Sequence, residues 1–211
     1  MAKYLGPKCK LCRREGRKLF LKGERCLSEK CAMDKKRPVP RGGGFVVKRR
    51  GKMSEYAHQL REKQKIKRFY NVLEKQFRLA FQRASARKGI TGELMLQELE
   101  LRLDSVVYNL GFTTSRNMAR QIILHGHISV NNRSVNVPSY SCKEGDVITI
   151  VEKARRLRPI LESLKNVTEG TIPSWLELNI DKMEGRISRV PRRDDIQMSF
   201  NEQLVVELYS K

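Results

Sequence analysis

Between Glu100 and Val151 the spacing of apolar residues changes from helical to alternating, and glycine stands at the changeovers. Leu103, Val106, Val107 and Leu110 share one arc at about 3.6 residues per turn, and Gly111 follows where a left-handed C-terminal cap belongs. In the next segment Met118, Ala119, Ile122 and Ile123 make the apolar arc, with Thr114 or Ser115 as N-cap and Gly126 as the stop. Ile128 and Val130 then alternate with polar residues, and Asn131-Asn132 offers the positive φ of a tight hairpin. Lys143-Glu144-Gly145-Asp146 forms a second turn before Val147-Ile148-Thr149-Ile150. Two short helices feeding a small antiparallel sheet satisfy this pattern. Arg116, Arg120 and Arg133 are left over for a partner.

The charge identifies what kind of partner. Of 211 residues, 44 are Lys or Arg and 23 Asp or Glu, a net of +21. Residues 1–52 alone hold eighteen basic residues against four acidic ones, two-thirds of the excess. Such a field predicts a polyanion, nucleic acid before membrane. No apolar run reaches the roughly 18 residues of a membrane span, and the first residues lack a signal peptide's apolar core. The expectation is a cytoplasmic chain with reduced cysteines.

Cys9, Cys12, Cys26 and Cys31 lie inside the most basic stretch, where little apolar material is available for a core. Four thiolates in two closely spaced pairs suit one tetrahedral zinc, whose binding supplies folding free energy that burial cannot. With all four positions filled by protein, the zinc is expected to be structural. An iron–sulfur cluster uses the same ligands and stays the alternative. Cys142, far along the chain, reads as a small packing residue.

The rest of the chain frames these two parts. Pro38, Pro40 and Gly42-Gly43-Gly44 mark a linker, and Arg41, Lys48, Arg49, Arg50 and Lys52 make it a basic arm suited to an RNA backbone. Helix is expected from Ser54 to Lys88, with Leu73, Phe77, Ala80, Phe81 and Ala84 on one face and Arg68 among the RNA-contacting cations. Thr91 is expected to cap a helix that runs towards Arg102. Trp175 lies in an expected strand, Lys182–Arg186 in a turn, and Ile187–Val190 in a returning strand. Asn201 should cap a last helix, whose Leu204, Val205 and Leu208 can pack on an earlier one. The fold class is α+β in three parts. Residues 1–45 form a basic four-cysteine metal module and linker. Residues 46–99 form a mainly helical domain completed by 196–211, and 100–195 form an RNA-binding domain with its core at 100–151.

Several motifs carry a resemblance to a known family. They are Arg102-Leu103-Asp104, Ser115-Arg116 ahead of Ala119-Arg120, Gly126-His127-Ile128-Ser129-Val130-Asn131 and Gly145-Asp146, with Trp175-Leu176, Lys182-Met183-Glu184-Gly185 and Glu207-Leu208-Tyr209-Ser210-Lys211 further on. The central stretch resembles the RNA-binding fold named after small-subunit ribosomal protein four. The whole chain is similar to bacterial-type members of that family, in the version that keeps its N-terminal cysteines. The resemblance implies a primary binder of small-subunit rRNA that nucleates assembly of the subunit body at a multi-helix junction. It also implies a place near mRNA where it enters the subunit, an influence on translational accuracy, neighbouring small-subunit proteins as partners, and no homo-oligomer.

For the central domain, the residues expected on RNA are Arg116, Arg120, His125, His127 and Arg133. Arg116 and Arg120 stand near a helix N-terminus, where backbone N–H groups favour phosphate. The competing arrangement pairs them internally with Asp104 or Glu100. Enzymatic decoys are weaker. His125-Gly126-His127-Ile128 and Lys52-Met53-Ser54 resemble class I aminoacyl-tRNA synthetase signatures, but in reverse order. Arg102-Leu103-Asp104 resembles the pseudouridine synthase motif, but it falls on a helix. The other function classes are therefore an RNA-modifying enzyme and a ribosome-associated quality-control factor that use the same RNA-binding fold.

Overall fold

The computed structural model describes residues 4–35, 53–167, 170–196 and 198–210. Its helices are α1 (Lys8–Glu15), α2 (Glu55–Phe69), α3 (Glu74–Ser85), α4 (Thr91–Glu100), α5 (Leu103–Asn109), α6 (Arg116–Leu124), α7 (Glu152–Arg155), α8 (Arg158–Lys165) and α9 (Glu202–Tyr209). Its strands are β1 (Ile128–Val130), β2 (Arg133–Ser134), β3 (Val147–Ile150), β4 (Leu176–Asn179) and β5 (Glu184–Ile187). The chain divides into two compact units, Met1–Gln82 with Phe200–Lys211, and Arg83–Ser199. No helix among the described residues is long and apolar enough to cross a membrane.

In the first unit, Ser54 starts α2 by accepting the N–H of Ala57 at 3.3 Å. The helix expected from Ser54 to Lys88 is two helices. Asn71, in the left-handed region at φ 53°, turns the chain between α2 and α3. That turn leaves Leu73 exposed, while Phe77 and Ala80 are buried. The terminal helix α9 lies along α2, with Val205 wholly buried. Asn201 does not cap α9 with its side chain. Its backbone N–H instead donates to Glu62 Oε1 at 3.0 Å, and Gln59 Nε2 donates to Glu207 Oε2 at 3.1 Å. Phe69 meets Tyr70 and Phe200 edge-on, with ring centroids 5.1 and 5.3 Å apart, and this fixes the end of α2.

The second unit is built on a five-stranded antiparallel sheet in the order β2-β1-β3-β5-β4. Leu103, Val106, Val107 and Leu110 of α5 and Ile122 and Ile123 of α6 share one core with Ile128, Ile148, Ile150, Ile187 and Trp175. Asn131 and Asn132 take φ of 48° and 63° between β1 and β2, as their sequence suggested. Asp146 ties the two turns together. Its carboxylate accepts from the Lys143 N–H at 2.7 Å and from Asn131 Nδ2 at 2.9 Å, while Asn131 Oδ1 accepts the Val147 N–H.

Two further local expectations need correction. The strand returning from the Trp175 segment is Glu184–Ile187, earlier than Ile187–Val190, because Met183 at φ 51° already closes the turn. Gly185 therefore lies inside a strand, where an added Cβ would overlap the Leu110 methyls. The other concerns α4, which starts after Ile90 with Thr91 already helical and does not run on into α5. Arg102 is extended at ψ 137°, and the N–H groups of Leu103 and Asp104 donate to the carbonyls of Tyr140 and Pro138 at 2.8 and 3.1 Å.

Candidate nucleic-acid interface

The break between α4 and α5 brings two carboxylates into the interior, and α6 answers both. Asp104 is wholly buried at the first turn of α5. Arg102 grips it with both arms of its guanidinium, Nε to Oδ1 at 3.1 Å and Nη2 to Oδ2 at 3.0 Å. Arg120 adds Nε to Oδ2 at 2.6 Å. One turn back on α6, Arg116 lies 4.5 Å from the ring centre of Tyr108, within 3.7 Å of Glu100 Oε1, and donates to Ser105 Oγ at 3.4 Å. Glu100 also accepts from Asn109 Nδ2 at 2.6 Å.

This corrects the expectation that Arg116 and Arg120 stand on the surface for a partner. They are 6 % and 4 % exposed, so the internal pairing with Asp104 and Glu100 is the arrangement adopted. The physical reason is that buried carboxylates need charged partners, and residues one turn apart on α6 reach both. These arginines set how α4, α5 and α6 meet. A wholly buried Asp104 held between two guanidiniums has no path to a substrate as a nucleophile, unlike the Asp of the enzyme motif that Arg102-Leu103-Asp104 resembles.

The remaining predicted residues separate by exposure. His125 is exposed at the C-terminal end of α6, and His127 is half-buried where the chain enters β1. Their rings stack with centroids 5.9 Å apart and planes 27° apart. Arg133 is exposed on the edge strand β2. Lys143, Lys153, Arg156 and Arg158 are exposed on the same unit. They were not expected as site residues, although each stands off the apolar pattern. Burial drives the Cys142 thiol up, with Asp146 and Asp104 adding to the effect, as suits a packing residue.

In the first unit Arg68 is half-buried and paired with Glu15 at the end of α1, and Arg61 lies 3.6 Å from the same carboxylate. Burial pushes the Glu15 carboxyl up in spite of both arginines. Arg68 thus joins α1 to α2, which the sequence did not suggest. Arg14, Lys22, Arg25 and Lys30 are exposed on the N-terminal segment. Arg41, Lys48, Arg49, Arg50 and Lys52, the expected basic arm, lie outside the described residues.

Of the four N-terminal cysteines, α1 carries Cys9 and Cys12, Cys26 ends a short 3-10 turn, and Cys31 follows; the last three are buried. All are reduced. Burial raises the Cys12 and Cys26 thiols, and the charge of the other cysteines raises them further. The Lys22 N–H donates to Cys26 Sγ at 3.4 Å. Among the described residues no three His, Cys, Asp or Glu side chains converge to hold a metal ion.

Comparison with known proteins agrees over the whole length. Residues 3–100 match the family described as ribosomal protein S4/S9 N-terminal domain, and residues 101–148 match the S4 domain. The small ribosomal subunit protein uS4 of Acidithiobacillus ferrooxidans is 53 % identical over 211 residues, covering all of both chains. The protein of the same name from Natranaerobius thermophilus is 53 % identical and that from Magnetococcus marinus 52 %, again covering both chains in full. With full-length identity of this order and residues 3–148 matched by the two family models, the chain belongs to the small ribosomal subunit protein uS4 family.

Proposed function

We propose that this protein is a structural, non-enzymatic constituent of the small ribosomal subunit that binds its rRNA directly. The full-length identity to proteins named for that subunit carries the reading. The net charge of +21 supports it, because phosphate contacts dominate RNA affinity. The second unit presents a rigid scaffold with Arg133, His125, Lys143, Lys153, Arg156 and Arg158 on its surface. Neighbouring small-subunit proteins are its other partners, and the cytoplasm, within the ribosome, is its location. A tagged copy of the chain, sedimented through a density gradient, tests this: it should travel with small subunits, and recovery only in ribosome-free fractions would overturn it.

Arg41, Lys48, Arg49, Arg50 and Lys52 belong to the proposed RNA surface on charge alone. Early nucleation of the subunit body and an influence on decoding accuracy are the finer parts of the proposal. Their readouts are the order of protein addition during reconstitution and the misreading rate of a reporter.

For the N-terminal segment we propose one structural zinc held by Cys9, Cys12, Cys26 and Cys31. The donor set fits in number and softness, three of the four thiols are buried, and among the described residues of this segment only Leu19 and Leu21 offer buried aliphatic side chains. The metal would supply a positive centre that draws the thiolates together and reverses the rise in their pKa.

A further inference from the structure

A cavity of about 310 Å³ opens on the second unit beside the two stacked histidines. Met118 and Ile122 of α6 and Ile160 of α8 line its apolar part, and Gln121, His125 and His127 supply the polar groups. Ile122 and Ile160 are core residues, 7 % and 0 % exposed, so this lining is fixed. Gln121 and His125 are exposed, so the polar side of the lining is reached from solvent.

The chemistry of the lining selects a flat group that is apolar on its faces and polar along its edge. A nucleobase has that form: its faces gain from apolar and aromatic contact, and its edge offers donors and acceptors to an amide and to imidazole nitrogens. The surroundings favour the phosphate-bearing form. Segment 152–158 presents Lys153 and Arg156 exposed, with Arg158 paired to Glu162 at 2.6 Å, and Leu157 in its midst also lines the cavity. The inner side of α6 is committed through Arg120 to Asp104, which leaves the side bearing Gln121 and His125 for a ligand.

We propose that this cavity receives a single unpaired nucleobase turned out of its RNA stack, with the adjoining phosphates held by the basic segment after β3. The proposal rests on the RNA-binding reading above and adds to it a site that recognises an unpaired position.

The test uses the full-length protein and two short RNA duplexes, identical except that one carries an extra unpaired 2-aminopurine. The bulged duplex should bind about tenfold tighter, as one stacked base provides. Its fluorescence should change on binding, and the methyl signals of Met118, Ile122 and Ile160 should shift with the bulged duplex only. Gln121→Glu, at an exposed position, should place a negative charge at the mouth and abolish the difference between the two duplexes. If both duplexes bind equally and the methyl signals do not move, the base site is wrong and the RNA-binding reading survives. If methyl signals move only when other ribosomal proteins are added, the cavity holds a protein side chain and the proposal fails. If neither duplex binds, the proposal falls together with the reading on which it rests.

Discussion

Asp104 Oδ2 accepts a hydrogen bond from Arg120 Nε at 2.6 Å, and this single contact joins the start of α5 to the middle of α6 inside the protein. Arg102 closes on the same carboxylate from its own helix start. Removing the negative charge would leave two buried guanidiniums facing each other. Asp104→Asn is therefore expected to cost about 3–5 kcal/mol of stability, in the range for breaking a buried pair. Denaturant unfolding followed through Trp175, the one tryptophan and part of the same core, measures it. An unchanged midpoint would show that the junction does not depend on this charge.

Gly185 sits in β5 against the methyls of Leu110. Gly185→Ala should overpack that contact and destabilise the second unit by about 1–3 kcal/mol. Trimming Leu110 to Val in the same chain should recover part of the loss. If the two substitutions add without any recovery, the contact is not the cause.

Acid should loosen the first unit through Glu74. Its carboxylate accepts from Lys63 and Lys67 Nζ, each at 2.7 Å, and from the Tyr209 hydroxyl at 3.0 Å. Partial burial opposes ionisation, but these bonds outweigh it and hold the carboxyl at about 2, down from 4.5. The stabilisation is thus fully present above pH 4.5 and is lost as the pH falls towards about 2. Because the carboxylate is half exposed, the whole effect is worth at most about 1 kcal/mol. Glu74→Gln should melt earlier than the parent near neutral pH, and the gap should close on acidification. A gap that stays constant with pH would contradict the assignment.

The proposed zinc has a composition test. Metal analysis of purified protein should find about one zinc per chain. Cys26→Ser should lower that content and unfold the N-terminal segment, read as lost amide-exchange protection there with α2 still protected. Iron in place of zinc, or a metal-free chain with full protection, would overturn the choice.

What could be read from the sequence was whatever depends on neighbours along the chain. The arcs of α5 and α6, the Ser115 cap, the paired asparagines at positive φ and the Gly145-Asp146 turn all follow from local spacing and backbone preference. What could not be read depends on distant partners. Arg116 and Arg120 fit either a partner's phosphates or Asp104 and Glu100 by sequence, and nothing in a local pattern shows that the α4–α5 break will turn those carboxylates inward. Arg68 likewise reads as an RNA contact from local sequence, because its partner Glu15 lies 53 residues earlier. The β5 shift has a different origin. Met183 adopts a left-handed conformation that composition does not favour, so the turn closed before its glycine.

The most direct measurement is binding of the purified chain to small-subunit rRNA with no other ribosomal protein present, repeated at rising salt. The account requires saturable binding, far weaker for large-subunit rRNA, with an affinity that falls steeply as salt rises because phosphate contacts release counterions. Equal affinity for both rRNAs, or an affinity indifferent to salt, would contradict it.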